Sequence, residues 1–185
     1  MDFKTSIARL SKMDKELGKH VYSLADLRML FPEDNQRTLN DTCRRLIEGG
    51  ALERAANGVF VFTYATSLNT DLLERIANTI RRGEYNYLSL ESVLSSHGVI
   101  SQITQGYITM MTTGREGLFT TSYGTIEFTH TARSAAEIVE RTIWSKERPF
   151  RTAPVEMAYE DLKRVNRNLH LVSLDELEEV THAKP

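Results

Sequence analysis

The stretch QRTLNDTCRRLIEGGALERAANGVFVF, residues 36–62, decides the fold of the first part of the chain. Leu39, Cys43, Leu46 and Ile47 recur at i, i+4, i+7 and i+8, which places them on one side of an α-helix. Asp34 or Asn35 can cap its start, and Gly49 and Gly50 end it. The other side is polar and carries Gln36, Arg37, Asn40, Asp41 and Arg44. The helix leads into ALERAANGVFVF, two short strand-like runs about Ala56, Asn57 and Gly58, and Asn-Gly between apolar runs is the strongest short hairpin signal.

Upstream, Phe3, Ile7, Leu10, Met13 and Leu17 are spaced by four, three, three and four, a helical period that Gly18 stops. A second helix opens at Ser23, a good N-cap, with Leu24, Leu27, Leu30 and Phe31 on one face, and Pro32 closes it. Only residues 32–35 separate it from the third helix. Three helices, a tight turn and a hairpin in this order predict a winged helix-turn-helix.

From Ser67 the pattern changes. Asn69 or Thr70 can cap a helix with Leu72, Leu73, Ile76 and Ile80, and a further helix is expected over 89–97, with Ser89 as its cap and Gly98 as its stop. Residues 107–113, 118–121 and 125–129 then alternate with period two, are rich in Thr, aromatic and β-branched residues, and are separated by Gly114, Gly117 and Gly124. They predict a three-stranded antiparallel meander. Helices over 135–144 and 155–165 follow, the second opening at Pro154, and 172–180 forms a short acidic end. The expected class is therefore α+β: a winged helix-turn-helix over 1–66, then a domain of helices and a small antiparallel sheet over 67–185, with the boundary at 64–67.

Length and composition exclude several classes. At 185 residues, 41% hydrophobic and 26% charged, with ten Gly and four Pro, the chain is an ordinary globular protein and too short for a large multidomain enzyme. Its one cysteine, Cys43, allows no intramolecular disulfide and no Cys-based zinc site, which fits a reducing cytoplasmic setting. No apolar run approaches the roughly 18 residues that span a bilayer, and the N-terminus lacks the apolar core of a secretory signal, so no membrane partner is expected. Net charge is −2, yet residues 1–62 hold 10 Lys and Arg against 9 Asp and Glu, while 63–185 hold 13 against 16.

The candidate DNA-binding residues are Gln36, Arg37, Asn40 and Arg44 on the third helix and Arg54 and Asn57 in or beside the hairpin. Arg pairs with guanine and Asn or Gln with adenine in the major groove, and a cation or amide on a wing can meet phosphate or the minor groove. A solvated helix face would show the same residue types; the adjacent hairpin and short linker favour DNA. Lys4, Arg9, Lys12, Lys15 and Lys19 are weaker candidates for phosphate contact.

Signals for catalysis are few. His20, His97, His130, His170 and His182 lack an HxH, HExxH or Cys partner, and no phosphate-binding Gly motif occurs. Residues 112–117, TTGREG, read as a strand end and turn, and Ser96 beside His97 is expected not to face it. No metal, cofactor or catalytic residue is expected. Glu91, His97, Arg115 and His130 are the polar residues to inspect for a clustered pocket.

On these residues the chain resembles the AbiEi family of antitoxins and transcriptional regulators of type IV toxin-antitoxin systems. Four stretches carry the likeness: the hairpin NGVF (57–60), YLSLESVLSSHG (87–98), ITMMTTGR (108–115) and YGTIEFTH (123–130). RTAPVEMA (151–158) adds a fifth, and together they cover most of 20–160 in order. The resemblance implies a sequence-specific repressor that binds operator repeats in double-stranded DNA, autoregulates its operon, and counters a nucleotidyltransferase-like toxin encoded nearby, with a homodimer as a further expectation. Two other classes remain open: a protein-interaction module with a degenerate winged helix, and a nucleic-acid-modifying enzyme using a C-terminal His and carboxylate cluster.

Overall fold

The first three helices begin where a short polar side chain meets backbone amides that would otherwise lack partners. In the computed structural model, which describes residues 1–101, 105–145 and 150–182, α1 spans Phe3–Leu17 with Asp2 accepting from the Thr5 amide. Gly18 ends it in the left-handed region, at φ 59°. β1 (Val21–Ser23) runs directly into α2 (Leu24–Leu30), where Ser23 and Asp26 cap each other's backbone amides reciprocally. α3 (Gln36–Glu48) starts at Asn35, whose side chain accepts from the amides of Arg37 and Thr38.

β2 (Leu52–Ala56) and β3 (Val59–Phe62) flank Asn57 and Gly58. β1 pairs with the far side of β3, so the hairpin is part of a three-stranded antiparallel sheet in the order β1-β3-β2. With three residues, β1 is too short to show a period in the sequence. Leu10, Leu27, Phe31, Leu39, Leu46 and Phe62 are fully shielded from water in one cluster with Tyr22 and Phe60. Each large apolar side chain buried in this way stabilises the fold by roughly 1.5–3 kcal/mol.

α4 (Leu72–Ile80) packs on β1 and β3 and buries Leu73, Ile76 and Ala77. The chain forms two compact units, Met1–Ile80 and Arg81–Pro185, so the division falls after α4 rather than at 64–67. The physical reason is in residues 66–67. The Asp14 carboxylate on α1 accepts from the backbone amides of Thr66 (2.7 Å) and Ser67 (3.2 Å) and from both of their hydroxyls, which ties this segment to the first unit.

The second unit comprises β4 (Asn86–Leu88), α5 (Glu91–Ser96), β5 (Tyr107–Thr112), β6 (Gly117–Thr121), β7 (Gly124–His130) and α6 (Ala135–Arg141). β8 (Ile143–Trp144), β9 (Arg151–Thr152), α7 (Val155–Val165), a 3-10 turn at Leu169–Leu171 and α8 (Leu174–His182) complete it. With eight α-helices among the described residues and two sheets, the class is α+β. Among the described residues, no helix is long and apolar enough to cross a membrane.

The expected antiparallel meander is corrected. The strands belong to a six-stranded mixed sheet in the order β6-β7-β5-β4-β9-β8, in which β7 lies between β6 and β5 and runs parallel to β5. Insertion of β7 brings Gly124 against Gly106. The Thr125 amide donates to the Gly106 carbonyl at 2.7 Å, and a Cβ on Gly124 (φ 141°) would lie 2.3 Å from that oxygen. The helix expected over 135–144 ends at Arg141, and Ile143–Trp144 instead forms the edge strand β8. The cap expected at Ser89 is also corrected: the N-cap of α5 is Leu90, with φ 59° and ψ −139° and no side-chain cap.

Ser89 has a different role. Its hydroxyl donates to Asp161 Oδ2 at 2.8 Å, and the Tyr87 hydroxyl donates to the same oxygen at 3.1 Å. Arg133 donates to Asp161 Oδ1 through Nη2 at 3.0 Å, and both side chains are wholly shielded from water. Arg133 also reaches Glu137 and, at 3.2 Å, Glu160. Removing one member of a buried ion pair strands the other charge. Asp161→Leu is therefore expected to lower stability by about 3–5 kcal/mol. Arg133→Met combined with Asp161→Leu should cost less than either single change. Urea denaturation followed by circular dichroism measures the three variants; a double variant that loses as much as the two singles together would show that packing, not charge pairing, sets the cost.

Candidate nucleic-acid interface

The period that buries one side of α3 leaves the other in solvent. Leu39, Thr42, Cys43 and Leu46 are buried, whereas Gln36, Arg37, Asn40 and Arg44 are all exposed on the opposite side. The four candidate residues of this helix are thus brought together on one surface. None of them supports the core.

Their contacts are local. Gln36 accepts from the guanidinium of Arg28 on α2, and its Nε2 donates to Asn40 Oδ1 at 3.2 Å. Arg44 donates to Asp41 at 3.1 Å. The Arg37 guanidinium has no partner among the described residues. Arg54, exposed on β2, lies over the Phe60 ring at 5.6 Å, and Asn57 is exposed in the turn of the hairpin. These two residues stand on a separate element, which reaches α3 through the packing of β2.

Arg28 was not singled out from the sequence. It lies eight positions before Gln36 on a different helix, and helical periodicity says nothing about pairs that meet across a turn. The α1 cations divide. Arg9 is held by Glu33 and the Leu30 carbonyl, Lys19 by Asp26 at 2.9 Å, and Lys12 lies 3.8 Å from Glu16. Lys4 and Lys15 are exposed.

The four polar residues of the second unit do not form one pocket. Glu91 receives a two-pronged contact from Arg167 (2.9 and 2.7 Å) and one from Asn168 (2.8 Å). Arg167 also contacts Glu127, to which the Tyr107 hydroxyl donates. Burial opposes ionisation of Glu127, but the bonds from Arg167 and Tyr107 outweigh it and hold the carboxyl below its usual range. Burial and the bond to Glu127 push Tyr107 up to about 12. A carboxylate held ionised, as Glu127 is, makes a poor proton acceptor.

His97 closes α5, with Nδ1 2.9 Å from the Val93 carbonyl, while His130 Nδ1 lies 2.9 Å from the Gly114 carbonyl. The backbone carbonyl of Arg115 accepts from Arg81 at 3.0 Å. One expectation is corrected: Ser96 Oγ lies 3.2 Å from His97 Nδ1, because His97 is already outside the regular helix as its C-cap. That proximity does not activate the serine, since its hydroxyl donates to the Val93 carbonyl at 2.8 Å. Among the described residues, no group of three or more His, Cys, Asp or Glu side chains could hold a metal ion.

Compared with known proteins, the chain matches no family model, and no curated protein matches it.

Within the first unit, one histidine is set apart by its surroundings. His20 is buried, with Nδ1 2.7 Å from Ser67 Oγ. Ser67 must donate its proton to the Asp14 carboxylate, which has none to give. Nδ1 is therefore the protonated nitrogen, and Nε2 is buried with no hydrogen-bond partner among the described residues. Burial, assisted by the nearby Arg75 cation, lowers the pKa of His20 from its ordinary 6.5. The unfolded chain then binds more protons than the folded one between the lowered value and 6.5, so stability falls as pH drops through that window. The expected slope is at most about 1.4 kcal/mol per pH unit. His20→Asn should flatten it, whatever its cost at neutral pH. Thermal unfolding of both proteins between about pH 7 and pH 5 tests the assignment; equal slopes would remove it.

Proposed function

We propose that this chain is a sequence-specific double-stranded DNA-binding protein whose first unit acts as a winged helix-turn-helix. In this reading α3 lies in the major groove, α2 crosses above it, and the β2–β3 hairpin is the wing, with Arg54 and Asn57 beside the backbone or minor groove. The observation that carries the reading is the separation of roles on α3: base-matching side chains at 36, 37, 40 and 44 are exposed together and none of them supports the core. The arrangement of three helices followed by a hairpin agrees with it.

We further propose that the protein is a non-enzymatic repressor and antitoxin of the AbiEi type, acting in the cytoplasm on operator repeats. This part rests on the likeness of residues 57–60, 87–98, 108–115, 123–130 and 151–158 to that family. The second unit would then serve contact with a nucleotidyltransferase-like toxin or with a second copy of the chain. The pairing of Glu91 and Glu127 with Arg167 supports a non-catalytic role for that unit.

Arg37→Ala and Arg44→Ala are each expected to weaken specific binding by about 1–3 kcal/mol while leaving the fold intact, because both side chains stand in solvent. Gel shifts on DNA from upstream of the protein's own coding sequence, with circular dichroism as the control, measure both effects. Unchanged affinity in both variants would take α3 out of the interface. A loss of helical signal would mean that these residues support the fold.

A further inference from the structure

Hydrogen-bond polarity runs in one direction across the exposed side of α2 and α3. A guanidinium can only donate, so the atom of Gln36 that meets Arg28 is its carbonyl oxygen. The amide nitrogen of Gln36 is thereby turned to Asn40, and the atom it meets must be the Asn40 carbonyl oxygen. Arg44 engages the Asp41 carboxylate in the same way. Each acceptor in this chain of contacts already receives a proton from a neighbour. The donors left free are the whole Arg37 guanidinium, the remaining N–H groups of Arg28 and the Asn40 amide nitrogen; Asp41, a carboxylate beside them, is held by Arg44.

The four bases differ on their major-groove edges. Guanine shows two adjacent acceptors, N7 and O6, whereas adenine shows one acceptor beside a donor, and cytosine shows a donor. Two-pronged reading of adenine needs an amide whose oxygen and nitrogen both face one base, whereas the Gln36 oxygen and nitrogen are turned to Arg28 and Asn40 and the Asn40 oxygen is turned to Gln36. Freeing Gln36 would also break a charge-assisted bond, which is about twice as strong as a neutral one. A surface rich in free donors therefore fits guanine.

Resting on the DNA-binding reading above, we infer that the α2–α3 surface selects guanine rather than adenine, with Arg37 as the principal base contact and Arg28 as a positioning residue that commits the Gln36 and Asn40 amides. The usual matching of Asn and Gln to adenine does not apply to these two side chains.

The test is selection from a random-sequence duplex library with the full-length protein, followed by base-analogue substitution in the selected site. Guanine should dominate the core positions, and 7-deazaguanine there, which lacks the N7 acceptor, should lower affinity about tenfold. Equivalent 7-deazaadenine substitution should leave affinity unchanged. Arg28→Ala should shift at least one core position toward adenine, because it frees the Gln36 carbonyl, whereas Arg28→Lys, which still donates, should retain guanine. A purely structural role for Arg28 would change affinity without changing base preference, and that result would overturn its assignment. An adenine core sensitive to 7-deazaadenine, or binding with no base preference, would overturn the inference. An adenine core would leave the DNA-binding reading standing. Failure to select or retain any duplex at low salt would overturn the DNA-binding reading itself.

Discussion

Arg133 and Asp161 meet where neither side chain touches water, and the second unit is arranged to make that contact tolerable. Withdrawing two such ions from solvent costs several kcal/mol each, so every remaining polar atom near them needs a partner. Tyr87 on β4 and Ser89 just after it donate to the second oxygen of Asp161, and Glu137 on α6 and Glu160 on α7 receive the outer nitrogens of Arg133. Burial and the adjacent Asp161 charge hold the Tyr87 hydroxyl well above its ordinary pKa, which keeps it a donor. One ion pair thus joins β4, the segment after β7, α6 and α7.

The unusual backbone at Leu90 belongs to the same arrangement. Ser89 turns inward to Asp161, and the chain must reverse at once to begin α5. Thr109 and Ser92 then supply what a cap at Ser89 would have supplied. The Ser92 amide donates to Thr109 Oγ1 at 3.0 Å, and the Thr109 amide donates to Ser92 Oγ at 2.8 Å. A non-glycine residue at positive φ costs about 1–3 kcal/mol, and burial of the Leu90 side chain with these reciprocal bonds offsets it. The YLSLES segment is accounted for by ion-pair support and strand-to-helix reversal.

The first unit follows the same rule with a different anchor. Asp14 gathers four donors from residues 66 and 67, which outweigh the burial that opposes its ionisation and hold it below the usual carboxylate range. A second buried carboxylate, Asp34, accepts from the N-terminal ammonium at 2.6 Å and from Thr42 at 2.7 Å. The base-matching side chains on the outer side of α3 are left without a duty in the core, so substitutions there cost the fold little.

Much of the local chemistry of the first unit was legible in the sequence, whereas the cap expected at Ser89 failed because that hydroxyl is drawn to Asp161 by packing. The bounds of α1, the Ser23 and Asn35 caps, the turn at Asn57 and Gly58, and the polar side of α3 all follow from spacing and capping within one element. Strand order did not follow: Gly114, Gly117 and Gly124 mark the turns of a meander and of the observed β6-β7-β5 arrangement equally well, because periodicity assigns faces and not neighbours. Arg133 with Asp161, and Arg28 with Gln36, were invisible for the same reason. Twenty-eight and eight positions separate these pairs, on different elements, and only the packing of those elements brings them within hydrogen-bond reach.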